Sequence, residues 1–549
     1  MTTRRDFLRT GALVGGAVFL SRYGAFGSAQ NARIEVLLDE SIGTISPNIY
    51  GHFVEHLGGV VYDGVWVGEG SKISNTNGIR QELLEHLRRM KPGMIRWPGG
   101  CFADSYDWRD GIGQQERRAR RTNFWAFGDK RKGNTAQKFD SNHFGTHEFI
   151  KLCRLAKAEP YFAANLRSLP ARDFYQWIEY CNSPAGSTTL AEMRASNGSR
   201  DPFNVRYWGV GNEPWGCGGN FTADDYADEF RRFAAWVPGF DNDLQFIAAG
   251  PASGEWDWTR KFFSRLIEKG KDQLDRVQGW ALHHYAWNTS RGRTENWDEG
   301  KGDALKFEEV DWYEILREGD KMNDLIVSHW KIMQELGAAP KTKLVVDEWG
   351  PWYRPTTEIG PGYVLSQMPT LRDAVFSAMT LDTFNRHADK VSIAATAQLV
   401  NCLNSPFLAM EDKFVATPVF HVFEMYAAHQ GGQSVRTVIS APEVNYQRDG
   451  KPAQFWSLAG SASRKDKSVV LSLVNADARE PRIAEIMVRG GTVKSATMTS
   501  LADADIHAHN TFENPDTVEP VGASPGVAGG VVRAEIPARS VNVLWITMA

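Results

Sequence analysis

A (β/α)8 barrel followed by an all-β, jelly-roll-like sandwich is the α/β architecture that the sequence predicts, on three observations. Eight short apolar runs between residues 45 and 401 alternate with amphipathic stretches. Two of these runs end in a glutamate with a tryptophan beside it and a proline close behind. After residue 430 the helical spacing stops, and short β-type runs broken by Gly, Pro, Asn and Asp take over. Strand signals separated by helices read as a barrel. An open doubly wound sheet would want a Gly-rich phosphate loop after its first strand, and the sequence has none.

In chain order, residues 1–29 read as a twin-arginine signal peptide. Arg4-Arg5-Asp6-Phe7-Leu8 precedes an apolar stretch from about Thr10 to Leu20, and Gly27-Ser28-Ala29 offers a small-residue cleavage site. The stretch is short for a membrane span of about 20 residues. A periplasmic or secreted protein with no membrane contact after cleavage is therefore expected. Residues 30–47 carry a strand, Ile34–Leu38, expected to join the sandwich. The catalytic barrel is expected over residues 48–430. Its strands are Ile45–Glu55, Gly93–Gly100, Glu159–Leu166, Val205–Glu213, Gln245–Pro251, Val277–Tyr285, Lys343–Trp349 and Ile393–Asn401. Three- and four-residue apolar spacing predicts helices at Gln81–Met90, His147–Ala158, Ala223–Trp236, Trp258–Gly270, Leu325–Leu336 and Leu371–His387. Thr417–Gln430 reads as the closing helix. Residues 431–549 form the sandwich, with runs at Val469–Val474, Ile486–Val488, Val493–Thr499, Val531–Ile536 and Val541–Ile546.

Composition bounds the function. Hydrophobic residues make up 42% and charged residues 23% of the 549, as in ordinary globular proteins. The formal charge of −4 gives no reason to expect a nucleic acid or an anionic membrane as partner. Only Trp456 and Trp545 of the 19 tryptophans follow residue 431, so the indoles belong to the barrel. Most are expected in its core and some against a sugar, since indole combines an apolar face with a polar N–H. The five cysteines are odd in number, scattered and without a CxxC pair. They read as mostly buried free thiols, with a disulfide open to an oxidising compartment.

The chemistry lies in the two glutamate motifs. In Tyr207-Trp208-Gly209-Val210-Gly211-Asn212-Glu213-Pro214-Trp215, Pro214 cannot continue a ladder, so Glu213 is predicted as the last strand residue, pointing into the barrel mouth. Leu344-Val345-Val346-Asp347-Glu348-Trp349-Gly350-Pro351-Trp352 repeats the design. These are the fourth and seventh predicted strands, nearly opposite in a barrel of eight, so the two carboxylates converge. Such a pair suits glycosidic bonds: one acid protonates the leaving oxygen and the other carboxylate attacks the anomeric carbon. A single strand-end glutamate can also be read as a rim salt bridge, and two in matching surroundings strengthen the catalytic reading.

Five further blocks occur in order: Asn48–Leu57, Arg96–Gly100, Asp107–Gly113, Asn142–Phe149 and Trp177–Asn182. With the glutamate motifs, they make a chain that resembles the family-51 glycoside hydrolases, the α-L-arabinofuranosidases of the clan of retaining (β/α)8 hydrolases. The resemblance runs from about Ile45 to the C-terminus. It implies Glu213 as acid/base and Glu348 as nucleophile. It also implies Asn212 on the sugar 2-hydroxyl, Glu55 gripping sugar hydroxyls, Tyr285 donating to the nucleophile with His283 supporting it, and Gln398 reaching the sugar from the last strand. The implied activity is exo-acting removal of terminal α-L-arabinofuranosyl residues from arabinan- or arabinoxylan-type chains by double displacement, without a cofactor and with a homo-oligomeric assembly. Cys101 stands where many relatives carry Asn. A thiol is a weak donor, so Cys101 is expected only to wall the pocket. Trp125, in the basic stretch Arg117–Ser141, either stacks on substrate or covers apolar surface.

Two i, i+4 histidine pairs, His52/His56 and His143/His147, invite a zinc reading. The first pair follows a strand pattern and no third ligand is signalled, so no metal is expected. The rival readings are an endo-glucanase or xylanase of the same clan, and a non-catalytic carbohydrate-binding protein.

Overall fold

Eight parallel strands close into a barrel, one from each predicted run. They are β2 (Gly51–Phe53), β3 (Met94–Trp97), β4 (Glu159–Ala164), β5 (Tyr207–Val210), β6 (Gln245–Ala248), β7 (Gly279–Ala286), β8 (Lys343–Pro351) and β9 (Val391–Thr396). The barrel closes where β9 pairs with β2, Ala395 opposite Gly51. This computed structural model describes residues 32–126, 139–240, 243–290, 294, 296–360 and 362–549. The predicted signal peptide lies outside the described residues, as does Phe127–Lys138 within the basic stretch. Among the described residues no helix is long and apolar enough to cross a membrane.

Barrel strands are covered on both faces, which is why they read as unbroken apolar runs. Helices wrap them: α1 (Gln81–Met90), α2 (Thr146–Ala156), α3 (Ala171–Asn182), α4 (Thr189–Ser196), α5 (Ala223–Ala234), α6 (Trp256–Glu268), α7 (Glu309–Glu335), α8 (Leu371–Arg386) and α9 (Pro418–Tyr426). The spacing predicts only the second half of α7. Its first half is dense in charge, yet buries Trp312, Ile315 and Leu316. The sequence reading also leaves out α3 and α4. α3 is rich in aromatics that resemble a strand locally, but Phe174, Trp177 and Ile178 recur at helical spacing and are buried.

The C-terminal sandwich is one continuous ten-stranded sheet curled on itself. Strand β1 (Ala32–Thr44) lies inside it, antiparallel to β10 (Gln433–Ser440) and parallel to β13 (Arg482–Arg489). The remaining strands are β11 (Leu458–Lys465), β12 (Ser468–Asn475), β14 (Val493–Ala502), β15 (Val521–Ala523), β16 (Gly526–Ala528), β17 (Val531–Ile536) and β18 (Ser540–Met548). Ile34, Val36, Leu471, Ile486, Val532 and Leu544 share its apolar core. β10 and β11 have no apolar run to announce them. β11 is Leu-Ala-Gly-Ser-Ala-Ser-Arg-Lys, and its Ser461 donates to buried Asp382 of α8 at 2.7 Å. The two units are joined by polar contacts as well as by apolar ones, since Val470, Val474, Leu501, Val541 and Val543 pack into the barrel's core cluster. Among the polar contacts, Trp312 Nε1 donates to the Ala476 carbonyl at 2.9 Å, and Tyr446 OH to Glu314 at 2.6 Å.

Candidate active site

The carboxylate of Glu213 is aimed by a departure from the strand. β5 ends at Val210, and both Gly211 (φ 83°) and Glu213 (φ 40°) take left-handed conformations. The sequence reading makes Glu213 the last strand residue; it stands beyond the strand, because a ladder cannot run through left-handed residues into Pro214. The turn closes with the amides of Gly216 and Gly218 donating to the Glu213 carbonyl at 2.8 and 3.1 Å. That turn carries Cys217 back over the carboxylate.

Glu348 lies within β8 rather than at its end. Ala281 of β7 pairs with Val345, but His283 pairs with Glu348, so β8 carries an extra residue there. A bulge re-aims side chains. Here it brings Asp347 and Glu348 into one buried cluster, although neighbours on a regular strand face opposite ways.

Arg96, in the middle of β3, is the hub of that cluster. Its Nη1 donates to Glu348 Oε1 at 2.8 Å and its Nη2 to Asn212 Oδ1 at 2.7 Å. Its Nε lies 3.4 Å from Asp347 Oδ2, and the guanidinium sits over the Phe53 ring at 4.7 Å. Burial alone would lower its pKa, but Asp347 and Glu348 hold it above the usual arginine range. For Asp347, burial works upward and is outweighed by Arg96 and His283, leaving the carboxyl at about 2.

His283 bridges the carboxylates. Its Nδ1 is 3.0 Å from Glu213 Oε1 and its Nε2 is 3.1 Å from Asp347 Oδ1. Burial disfavours its charge, yet Glu348, Asp347 and Glu213 together raise its pKa to about 10. The surrounding acids thus favour the charged ring, whose Nδ1–H can donate to Glu213 Oε1. The resemblance gives His283 to Tyr285 as a support. Its ring lies among the acids, hydrogen-bonded to Glu213 through Nδ1 and with Nε2 3.1 Å from Asp347 Oδ1. Tyr285 OH donates to Glu348 Oε2 at 2.8 Å. Glu348 therefore has a donor on each oxygen. One oxygen of Glu213, one of Glu348 and a His283 nitrogen all lie within 4.8 Å of one another.

Glu55 follows β2 and meets the last strand through Gln398. Gln398 Nε2 donates to Glu55 Oε2 at 3.1 Å and its Oε1 accepts the Glu55 amide at 3.0 Å. Glu55 Oε1 accepts from the Phe102 amide at 3.0 Å and from Trp125 Nε1 at 3.3 Å. Burial, and then the charge of Glu348, push the Glu55 carboxyl up to about 7. Gly99 and Gly100 make room for this packing. A β-carbon at Gly100 would stand 2.8 Å from Glu348 Oε1, and one at Gly99 2.7 Å from the Glu55 side chain.

All eight residues named from the sequence join this network. Arg96, Asp347 and Asp104 enter it without a role assigned beforehand. An arginine inside the apolar run Met94–Trp97, and an acid directly before Glu348, were the available signals for the first two. Asp104 has no such signal. It is buried and accepts the amides of Leu166 at 2.7 Å, Arg167 at 3.2 Å and Asn212 at 3.2 Å, while burial raises its pKa to about 7. Cys153, Cys181 and Cys402 are buried free thiols, as read from the sequence, but Cys101 and Cys217 form a disulfide. They are 116 residues apart and meet only because the loops after β3 and β5 converge. Their sulfurs lie 3.9 and 3.6 Å from Glu213 Oε2. Beside them a cavity of about 590 Å³ is lined by Cys101, Ser105, Asn123, Phe124, Trp125 and Arg167.

Neither histidine pair is assembled with a third ligand among the described residues. His56 is held by Asp140 at 2.7 Å and accepts from Trp97 Nε1 at 3.0 Å; His147 is held by Tyr180 at 2.7 Å. Burial pushes the pKa of His52 down to about 3.

Two family models match the chain: "Alpha-L-arabinofuranosidase 1 domain" over residues 86–302 and "Alpha-L-arabinofuranosidase C-terminal domain" over 347–540. An intracellular exo-α-L-arabinofuranosidase of Bacteroides ovatus is 32% identical over 534 residues, covering 97% of this chain and 99% of that one. An intracellular exo-α-(1→5)-L-arabinofuranosidase of Acetivibrio thermocellus is 29% identical, covering 84% of this chain and 88% of that one. Among solved structures, the family-51 arabinofuranosidase of Xanthomonas axonopodis pv. citri superposes with a TM-score of 0.85 at 34% identity, covering 94% of this chain and all of that one. These relatives correct the expected localisation. Several are named intracellular, which points to the cytoplasm rather than to the periplasm or the medium. The export expectation rested on one short N-terminal pattern, whereas the similarity spans nearly the whole chain.

Proposed function

Because this chain belongs to the family-51 α-L-arabinofuranosidases, we propose that Glu213 and Glu348 perform its reaction as acid/base and nucleophile of a double displacement. The chain is an exo-acting α-L-arabinofuranosidase, and its substrate is an arabinose-containing glycan. The single observation that carries the mechanism is the approach of Glu213 and Glu348 oxygens within 4.8 Å. Inverting hydrolases hold their carboxyls ~6.5–9.5 Å apart to admit a water; retaining ones hold them ~5–5.5 Å apart.

The roles follow from the neighbours. Glu348 takes a hydrogen bond on each oxygen, from Arg96 and from Tyr285, which fixes it in place as the nucleophile. It attacks the anomeric carbon, and the arabinosyl–carboxylate ester forms as the bond to the leaving oxygen breaks. Glu213 has one oxygen taken by the His283 ring. Its other oxygen faces the disulfide, and on that side it gives its proton to the leaving oxygen. Glu213 then deprotonates the water that cleaves the ester, so configuration is retained. Asn212, held by Arg96, presents its amide to the 2-hydroxyl. Glu55 and Gln398 grip the remaining hydroxyls, and Trp125 covers that side of the furanose. Residues 48–430 carry this chemistry, and residues 431–549 with the strand Ala32–Thr44 brace it.

NMR of the first-formed sugar from an aryl α-L-arabinofuranoside tests the proposal. The α-anomer is expected; the β-anomer as first product overturns it.

A further inference from the structure

The two half-buried sulfurs facing Glu213 have a chemistry that the hydrolysis does not use. Cys101, Cys217 and Glu213 bring their donor atoms within 4.8 Å of one another. The cysteine Cα atoms are 5.5 Å apart, and both loops are anchored independently of the S–S bond. The first is anchored by the amide of Phe102 on Glu55, the second by the turn hydrogen bonds to the Glu213 carbonyl. Cys101 also lines the mouth cavity, so a small reductant and a cation both have a way in.

We propose that reduction of the Cys101–Cys217 disulfide creates a binding site for a soft divalent cation such as Zn²⁺, made of the two thiolates and the Glu213 carboxylate. This inference rests on the reading of Glu213 as acid/base only for its effect on turnover. A dithiol supplies the two electrons: its sulfurs are oxidised to a disulfide while the Cys101–Cys217 bond opens to two thiols. Zinc then displaces both thiol protons to solvent. With Zn–S bonds of about 2.3 Å, tetrahedral geometry sets the sulfurs about 3.8 Å apart. Opening the disulfide permits that spacing; keeping it closed forbids it. Two thiolates and a carboxylate leave a fourth position for water, and they select zinc over Mg²⁺ or Ca²⁺, which want oxygen ligands. With its carboxylate on the metal, Glu213 neither donates nor accepts a proton, so the zinc form is inactive. Oxidised protein, whose sulfurs are bonded to each other, is indifferent to the same metal.

The test compares oxidised wild type, wild type reduced by a dithiol and freed of it anaerobically, and reduced Cys217→Ala. Each is titrated with Zn²⁺ by calorimetry, and with Co²⁺ for its near-ultraviolet thiolate charge-transfer band. Activity on an aryl arabinofuranoside is recorded before zinc, with zinc, and after EDTA. The expected result is one zinc per chain and a strong cobalt band in reduced wild type alone. Its affinity for zinc should exceed that of either control at least a hundredfold, and its activity should be lost with zinc and restored by EDTA. Equal zinc binding by the oxidised protein or by Cys217→Ala overturns the site. Zinc bound to reduced wild type without loss of turnover would uphold the site and count against Glu213 as acid/base.

Discussion

Arg96 meets Glu348 at 2.8 Å in a part of the barrel that solvent barely reaches. The same guanidinium reaches Asn212 and Asp347, so one cation sets the position of the proposed nucleophile and of the residue before the proposed acid. Arg96→Met should cost about 3–5 kcal/mol of stability, because Asp347 and Glu348 lose their shared counter-charge in the interior. Arg96→Lys keeps the charge but has no fork to span three acceptors. It should fold and lose on the order of 10²-fold in kcat, comparable with loss of a catalytic hydrogen-bond donor. Thermal unfolding and steady-state kinetics on an aryl arabinofuranoside measure both. A methionine variant as stable as wild type would refute the argument.

Glu348→Gln should fall by roughly 10⁴–10⁶-fold in turnover, as when other covalent nucleophiles are removed. The amide oxygen still accepts from Arg96, so the variant should stay folded. Circular dichroism with a sensitive assay decides it, and near-normal activity would place the nucleophile elsewhere.

Glu213→Ala should separate two substrate types. Aryl arabinofuranosides with acidic phenols need no protonation and should keep most of their first-step rate. Arabinan or arabinoxylan fragments leave as sugar alkoxides and should slow by roughly 10²–10⁴-fold, the usual scale of general-acid help. The arabinosyl-enzyme should accumulate on Glu348, and azide, which needs no base, should release it as a glycosyl azide of retained configuration. Burst kinetics with and without azide are the measurement. Equal losses on both substrates and no response to azide would remove Glu213 from the role.

Glu55 yields a prediction in pH. Its carboxyl stands at about 7 in the fold against an ordinary 4.5, burial being the main cause. A raised carboxyl means that the native state binds more protons than the unfolded chain between those values, so this group's contribution to stability falls as pH rises through that window. Glu55→Gln removes the titration. Relative to wild type, the variant should gain up to about 3 kcal/mol between pH 4 and pH 8, while losing grip on the sugar. Denaturant unfolding at both pH values checks it; a difference that does not change with pH would contradict it.

The barrel was legible because each of its strands is buried on both faces and stands in the sequence as an apolar run. The glutamate motifs were legible for the same reason: an acid after such a run is conspicuous. β10 and β11 were not, since each buries few large apolar residues and turns a serine, Ser434 or Ser461, to bond across to α8. Pairs such as Cys101 with Cys217, or Asp104 with the amides of Leu166 and Asn212, leave no local pattern at all. The bulge that turns Asp347 and Glu348 to the same cluster is likewise a property of two strands in register, which neither strand states alone.

The place of β1 in the curled sheet bears on how this chain comes off the ribosome. Ile34 pairs with Ile439 on one side and Ile486 on the other, so the strand made first needs neighbours made some 400 residues later. At about 5–20 residues per second that is a wait of roughly 20–80 s. During it, Ile34 and Val36 have no sheet to enter while the barrel assembles just downstream. Polar and charged residues alternate with these two along Arg33–Val36, which makes the waiting strand a poor template for pairing with other chains. Circularly permuted or N-terminally trimmed versions should therefore show their defect in yield and aggregation before they show it in kinetics.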